Sequence, residues 1–168
     1  MPFSLKLSAV TPLAAVLLAA SAAHAQAPAV LTVRIDVARP HQTIANFAAS
    51  DAWAGQFVGN WPAAKKEAIA DLLFSQNKGI GLSMWRFNIG AGSAEQGEAS
   101  GIKDEWRRAE SFLTPAGRYD FKRQAGQLWF LKAAQQRGVK QFLGFLNSPP
   151  VSLTATGKAY AKGGETNL

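Results

Sequence analysis

Six side chains able to hold or shape a ligand fall at the ends of apolar runs. Asp51 and Trp53 follow the run that begins at Ile44, Arg86 and Asn88 close the run 82–89, and Asn147 and Ser148 follow 141–146. A Trp ring offers a flat stacking plane, and Arg, Asn, Asp and Ser offer donors and acceptors at fixed angles. That mixture suits a ligand with polar edges and an apolar face, which is the dual character of a sugar. Each residue also has a plainer use: Trp53 as packing, Arg86 as the partner of a carboxylate, Asn147 as a turn residue before Pro149 and Pro150. Their common placement at the ends of three successive extended runs favours a shared site, so all six are assigned to substrate binding.

The elements that must position them follow from patterning. The stretch Leu82-Ser-Met-Trp-Arg-Phe-Asn-Ile-Gly-Ala-Gly-Ser93 alternates and then breaks into glycines. Trp85, Phe87 and Ile89 fall on one face, Met84, Arg86 and Asn88 on the other, because successive strand side chains point to opposite sides. One face is wholly apolar, and the other starts apolar and turns polar towards its end. A parallel barrel strand reads this way, with one face on helices and the last inward side chains at the carboxyl mouth. A half-buried strand with Arg86 at its rim reads the same way.

Residues 31–37 alternate with Leu31, Val33, Ile35 and Val37 on one face and predict a half-buried strand. Residues 44–51 predict a second extended run. Pro62 suits a first helical position and opens a helix over 62–76, with Ile69, Leu72 and Leu73 as its apolar stripe and Lys65, Lys66 and Asp71 outside. Residues 90–119, rich in glycine and carrying the charged patch 103–108, predict mainly loop, with a helical turn within 106–112. Asp120 predicts the N-cap of a second helix over 121–137, with Leu128, Leu131 and Ala134 in its stripe and Gly138 closing it. Residues 141–146 predict a short strand, stopped at Asn147-Ser-Pro-Pro150, with no helix or strand beyond.

The order is a strand, then strand–helix–strand–helix–strand, which implies parallel strands and right-handed crossovers. Helix-to-strand links are a few residues, whereas strand-to-helix links are long: 52–61, 90–119 and 148 onward. A (β/α) barrel builds its active site from the long loops on that side. A doubly wound open sheet shares the alternation. Gly90-Ala-Gly92-Ser-Ala-Glu95 lacks the third glycine of a dinucleotide fingerprint and opens a loop, so no nucleotide cofactor is expected.

Other chemistries find little support. His24 lies in the leader and His41 stands alone beside Pro40, so no metal set is expected, and no G-x-S-x-G elbow is present. Glu67 and Asp71 sit on the solvent side of a helix, and Glu95, Glu98, Asp104, Glu105 and Glu110 crowd one loop. None is placed as a rigid glycosidase pair, which needs a separation of about 5 Å or about 6.5–9.5 Å. The net charge of +7 is spread over separate segments, which argues for a basic surface and against a nucleic-acid partner.

Lys6, the apolar run 13–20 and Ala23-His24-Ala25 read as a secretory signal peptide over 1–25, cut before Gln26. The expected location is secreted or periplasmic, with no membrane partner after cleavage. The 143 remaining residues contain no cysteine, so an exported fold would rest on its core or on a larger parent chain.

The runs Phe47-Ala-Ala-Ser-Asp-Ala-Trp53, Ile69-Ala-Asp-Leu-Leu-Phe-Ser75, Gly79-Ile-Gly-Leu-Ser-Met-Trp-Arg-Phe-Asn-Ile-Gly-Ala-Gly-Ser93, Trp106-Arg-Arg-Ala-Glu-Ser-Phe-Leu113 and Asn147-Ser-Pro-Pro-Val151 resemble family-30 glycoside hydrolases, closest to the endo-β-1,6-galactanase-like branch. The resemblance runs from about Ile44 to Leu168. It implies the N-terminal portion of a (β/α)8 barrel, about strands 1–3 over 44–168, with 26–43 supplying the first strand of a side β-sandwich. It implies a polysaccharide or oligosaccharide substrate and retaining hydrolysis by two glutamates, one in an Asn-Glu-Pro run after barrel strand 4 and one on strand 7. This sequence has no Asn-Glu-Pro and by the resemblance stops before strand 4, so no catalytic residue is assigned to it. Arg86, Asn88, Asn147 and Trp53 match positions at the family's substrate end. Two departures stand out: Asn46-Phe47-Ala48 replaces the usual Gly-Phe-Gly, and Ser152 takes a position where a large aromatic is common. The reading is an N-terminal part of a β-linked polysaccharide hydrolase. The alternatives are a non-catalytic secreted carbohydrate-binding module and an inactive truncated relic.

Overall fold

The computed structural model describes residues 31–161 and 166–168. The expected signal peptide over 1–25 lies outside them. The chain divides into two units, Met1–Gln42 and Thr43–Leu168.

In the first unit the strand expected over 31–37 does not form. Leu31 is 86% and Val37 89% exposed, and the chain instead makes a local turn in which Asp36 accepts from the Ala38 N–H at 3.1 Å. Alternation only selects a face. A strand also needs a neighbour for its N–H and C=O groups, and none is present among the described residues of this unit.

The second unit is mixed α/β. Its elements are β1 (Ala48–Ser50), α1 (Gly55–Val58), α2 (Ala63–Phe74), β2 (Met84–Ile89), α3 (Ser93–Gln96), α4 (Ala125–Gln136) and β3 (Gln141–Leu146). The strands form one parallel sheet in the order β1-β2-β3, with Ser50 beside Arg86 and Asn88 beside Phe145. Parallel pairing follows from the crossovers: each strand is separated from the next by a helix that returns the chain to the same end.

Both long helices pack on the Trp85 face. Phe74 of α2 meets Trp85 edge-on with ring centroids 5.0 Å apart, and Phe130 of α4 lies 6.3 Å away on the same ring. Ala70, Leu82, Ala133, Ala134 and Val139 complete the core. Sequential strand order with helices on one face is barrel winding, whereas a doubly wound sheet must reverse its order and cover both faces.

Two residues of the expected α2 stripe, Ile69 and Leu73, pack half-buried against the core, and Leu72 departs from it. Ala70 and Phe74 are buried and Leu72 is 61% exposed, since Phe74 is the side chain large enough to reach Trp85. Helix α4 starts four residues later than expected. The Asp120 side chain accepts from the Lys122 N–H at 2.9 Å and its carbonyl from the Arg123 N–H at 3.3 Å, so it caps a turn. The helix is set instead by Glu110, whose carboxylate accepts from the Gln124 N–H at 2.7 Å and whose carbonyl accepts from the Gln124 side chain at 2.6 Å. These contacts hold Gln124 at φ 55°, and Ala125 begins the helix. Its end is as expected. Gly138, at φ 90°, donates to Gln135, and Val139 donates to Ala134, the paired bonds of a left-handed glycine cap.

The loop 90–119 is more ordered than expected. It contains α3 and two 3-10 turns, Gly97–Ser100 and Glu105–Arg107. Another turn, Val151–Leu153, follows β3. The Ala109 carbonyl accepts from Gly92 and Ala94, Ser93 Oγ accepts from the Ala109 N–H at 3.0 Å, and Arg123 pairs with Glu95 at 2.5 Å. Side chains far apart in sequence therefore fold this loop down over the carboxyl end of β2.

Candidate functional site

A cleft of about 540 Å³ opens past the carboxyl ends of β2 and β3. Of the six residues assigned from sequence, Trp53, Asn88, Asn147 and Ser148 line it. Trp53 comes from the link after β1, Asn88 from the last inward position of β2, and the other two from the chain just past β3. Loop residues Lys103, Asp104 and Arg107 and the later Tyr160 also line it.

Arg86 and Asp51 lie elsewhere. Arg86 stands one inward position before Asn88, and its guanidinium covers the Phe145 ring at 3.7 Å, a cation–π contact. Its Nε is buried without a partner among the described residues. Asp51 is 3% exposed and sits behind the cleft wall. Its N–H donates to the Arg86 carbonyl at 3.1 Å, and its Oδ1 accepts from the Asn88 N–H at 2.8 Å. The residue thus bridges the ends of β1 and β2.

The indole of Trp53 is not bare. Arg107 lies over it at 4.8 Å. The 3-10 turn bearing Arg107 is held by α1, where Gln56 donates to the Trp106 carbonyl at 2.8 Å and Phe57 packs on the Trp106 ring at 4.5 Å. Asp104 shapes the same turn by accepting from the Trp106 N–H at 3.0 Å. Two carboxylates elsewhere on the loop are committed: Glu95 to Arg123 and Ser111, Glu110 to Gln124. Glu67 and Asp71 both bind Arg137 on the outer helices, and that pairing holds the Asp71 carboxyl below its ordinary range.

Burial pushes the Asp51 carboxyl up to about 6, against the opposing pull of the Asn88 N–H, the Gln127 side chain and the Arg86 charge. Between the ordinary value of 3.8 and about 6, the folded chain keeps a proton that the unfolded chain releases. Stability from the neutral carboxyl is therefore present at low pH and falls as pH rises through that window, by on the order of 3 kcal/mol. Asp51→Asn keeps an acceptor for Asn88 and removes the charge. Its urea midpoint is expected to equal that of the parent near pH 4 and to exceed it at pH 7.5. A variant less stable at both values contradicts this account.

Sequence reasoning missed four residues of this neighbourhood. Lys103 and Arg107 lay in the charged patch already noted, but nothing local tied that patch to the cleft. Tyr160 lies in a glycine-rich tail without pattern. Gln127 did carry a signal: with Phe130 and Ala134 it falls on one helical face, which makes it a polar side chain in an apolar stripe.

Parallel strands in sequential order, with crossover helices behind and a cleft past their carboxyl ends, define a (β/α)-type domain. The chain belongs to O-glycosyl hydrolase family 30, whose model matches residues 30–168. A crystal structure of a conserved exported protein from Bacteroides fragilis is 47% identical over 80% of this chain, with a TM-score of 0.70. The catalytic domain of the GH30 xylanase C from Talaromyces cellulolyticus is 26% identical over 75% of this chain, with a TM-score of 0.47. The chain spans 29% of the length of each of these two structures. No curated protein matches it.

Proposed function

We propose that this chain forms the N-terminal barrel strands and one wall of the substrate cleft of a secreted, retaining β-glycosidase. The carrying observation is the cleft that gathers Trp53, Asn88, Asn147 and Ser148 past the strand ends. Trp53 supplies a stacking plane for a pyranose face, and the Asn side chains supply paired donors and acceptors for hydroxyls. The substrate is a β-linked polysaccharide of the β-1,6-galactan type, on the motif resemblance. The acid/base and nucleophile glutamates belong to later barrel strands, outside this chain. Residues 26–43 join a side β-sandwich once a neighbouring strand from elsewhere in the protein pairs with them, and residues 1–25 direct export. Family membership supports the chemistry, and the exported relative from Bacteroides fragilis supports the location.

The test is titration of this chain with β-1,6-linked galacto-oligosaccharide. Saturable binding is expected, and Trp53→Ala should weaken it by about tenfold, the loss of one stacking contact. No saturable binding overturns the cleft assignment. Hydrolysis by this chain alone at an ordinary turnover overturns the placement of the glutamates. A non-catalytic binding module is the second reading, favoured by loop carboxylates that are tied to Arg123 and Gln124. It gains if the longest protein encoded with this chain binds the oligosaccharide and leaves it intact.

A further inference from the structure

Asn88 is a cleft residue held at both backbone groups by side chains. Its N–H donates to Asp51 Oδ1 at 2.8 Å, and its carbonyl accepts from Gln127 Nε2 at 2.9 Å. Both gripping side chains are buried, Asp51 at 3% and Gln127 at 1% exposure. They arrive from different elements, the end of β1 and the first turn of α4. The Asn88 side-chain amide makes no hydrogen bond among the described residues and is left for the cleft. Among the described residues Asp51 Oδ2 and Gln127 Oε1 are both buried acceptors without a donor, and the Gln127 side chain is near enough to the Asp51 carboxyl to favour its charged form. Burying such acceptors unpaired costs free energy that an apolar pair of the same shape would not. A fold that only needed packing here has no use for them.

We propose that Asp51 and Gln127 are positioning residues that grip both backbone groups of Asn88, and that a proton on Asp51 loosens this grip and so the aim of the Asn88 side chain. The proton adds one O–H donor among acceptors that have none. It also turns the bond from the Asn88 N–H from charge-assisted to neutral, which roughly halves its strength. Arg86 of β2 is the charged group that faces the carboxyl. The residues packed on it from α1 and α4, Gly55 and Gln127, do not titrate. The statement that this clamp serves sugar binding rests on the proposed function. The clamp itself does not.

The experiment is an amide-proton NMR titration of this chain from pH 4 to 8, followed at Asn88 and at the Asp51 carboxyl carbon. Both are expected to move together with a midpoint near 6, the Asn88 amide going upfield as the carboxyl takes up its proton. Asp51→Asn should abolish the Asn88 movement, and Gln127→Glu, which adds a like charge beside Asp51, should raise its midpoint. A flat Asn88 amide, a midpoint in the ordinary carboxylate range, or movement that persists in Asp51→Asn overturns the proposal. Repeating the series with galacto-oligosaccharide separates the two claims. Affinity that falls below the shared midpoint ties the clamp to the sugar. An intact titration without sugar binding leaves the clamp standing and removes the sugar site.

Discussion

Trp85→Ala is expected to abolish cooperative unfolding of the second unit. The indole is 4% exposed and stands at the centre of the core, edge-on to Phe74 and beside Phe130. It is where both helices meet the sheet, so truncation removes packing from α2, α4 and β2 together. Large aromatic-to-alanine changes in cores cost about 3–5 kcal/mol, and domains of this kind hold about 5–15 kcal/mol in all. The sheet here has three strands, with Phe142 and Leu146 of β3 38% and 50% exposed, so its reserve lies at the low end of that range. Urea unfolding followed by far-UV circular dichroism should show a transition in the parent and a gradual slope in the variant. Leu72→Ala is the control. Leu72 shares the helix with Phe74 but faces solvent, so its cost is expected within about 0.5 kcal/mol. A larger loss at Leu72 than at Trp85 refutes the core described above.

The contrast between these two positions shows where the sequence was legible. Strand β2 could be read because its alternation is strong and its two faces meet different surroundings. Strand β3 and the glycine cap at Gly138 could be read because their signals are local. Helix α2 was legible as a helix, and Ile69 and Leu73 of its stripe do pack on the core, but Leu72 does not. Leu72 and Phe74 are both apolar, and only the position of Trp85, on the next strand, decides which turns inward. The start of α4 depends on Glu110, fourteen residues earlier than Gln124, and no cap preference at Asp120 can report that. Residues 31–37 fail for the related reason that a strand is a property of two segments.

The site divides the same way. Chain position alone put Trp53, Asn88, Asn147 and Ser148 at strand ends, and topology then gathers them. Asp51 and Arg86 satisfied the same positional rule, yet one lies behind the wall and the other covers Phe145. Side-chain direction at the last residues of a strand depends on what packs above it, and here that is the loop 90–119. Two of the residues the reading missed, Lys103 and Arg107, are on that loop. Its course is set by Ser93, Glu95 and Ala109 bonding across it, with no periodicity to betray them.

Gly126→Ala is expected to damage both stability and the cleft, although Gly126 does not line the cleft. A Cβ there would lie 2.3 Å from the Gln56 carbonyl oxygen, and one at Gly59 would lie 2.0 Å from the Gly126 carbonyl oxygen. The two backbones meet without side chains, so α1 has no room to give except by moving away from α4. In an isolated helix the same change would gain about 1 kcal/mol from propensity. Overpacking against backbone costs about 1–3 kcal/mol and reverses that sign. Displacing α1 also displaces what α1 holds: Gln56 and Phe57 fix the Trp106 turn, and that turn sets Arg107 over Trp53. Oligosaccharide affinity should therefore fall along with the urea midpoint. Gly138→Ala tests whether lost stability alone explains the loss. Its φ of 90° makes alanine costly by about 1–2 kcal/mol, but it lies at the opposite end of α4. If both variants lose affinity in proportion to stability, α1 plays no part in holding the cleft. If only Gly126→Ala loses affinity, the close approach of α1 and α4 is what keeps the Trp53 wall in place.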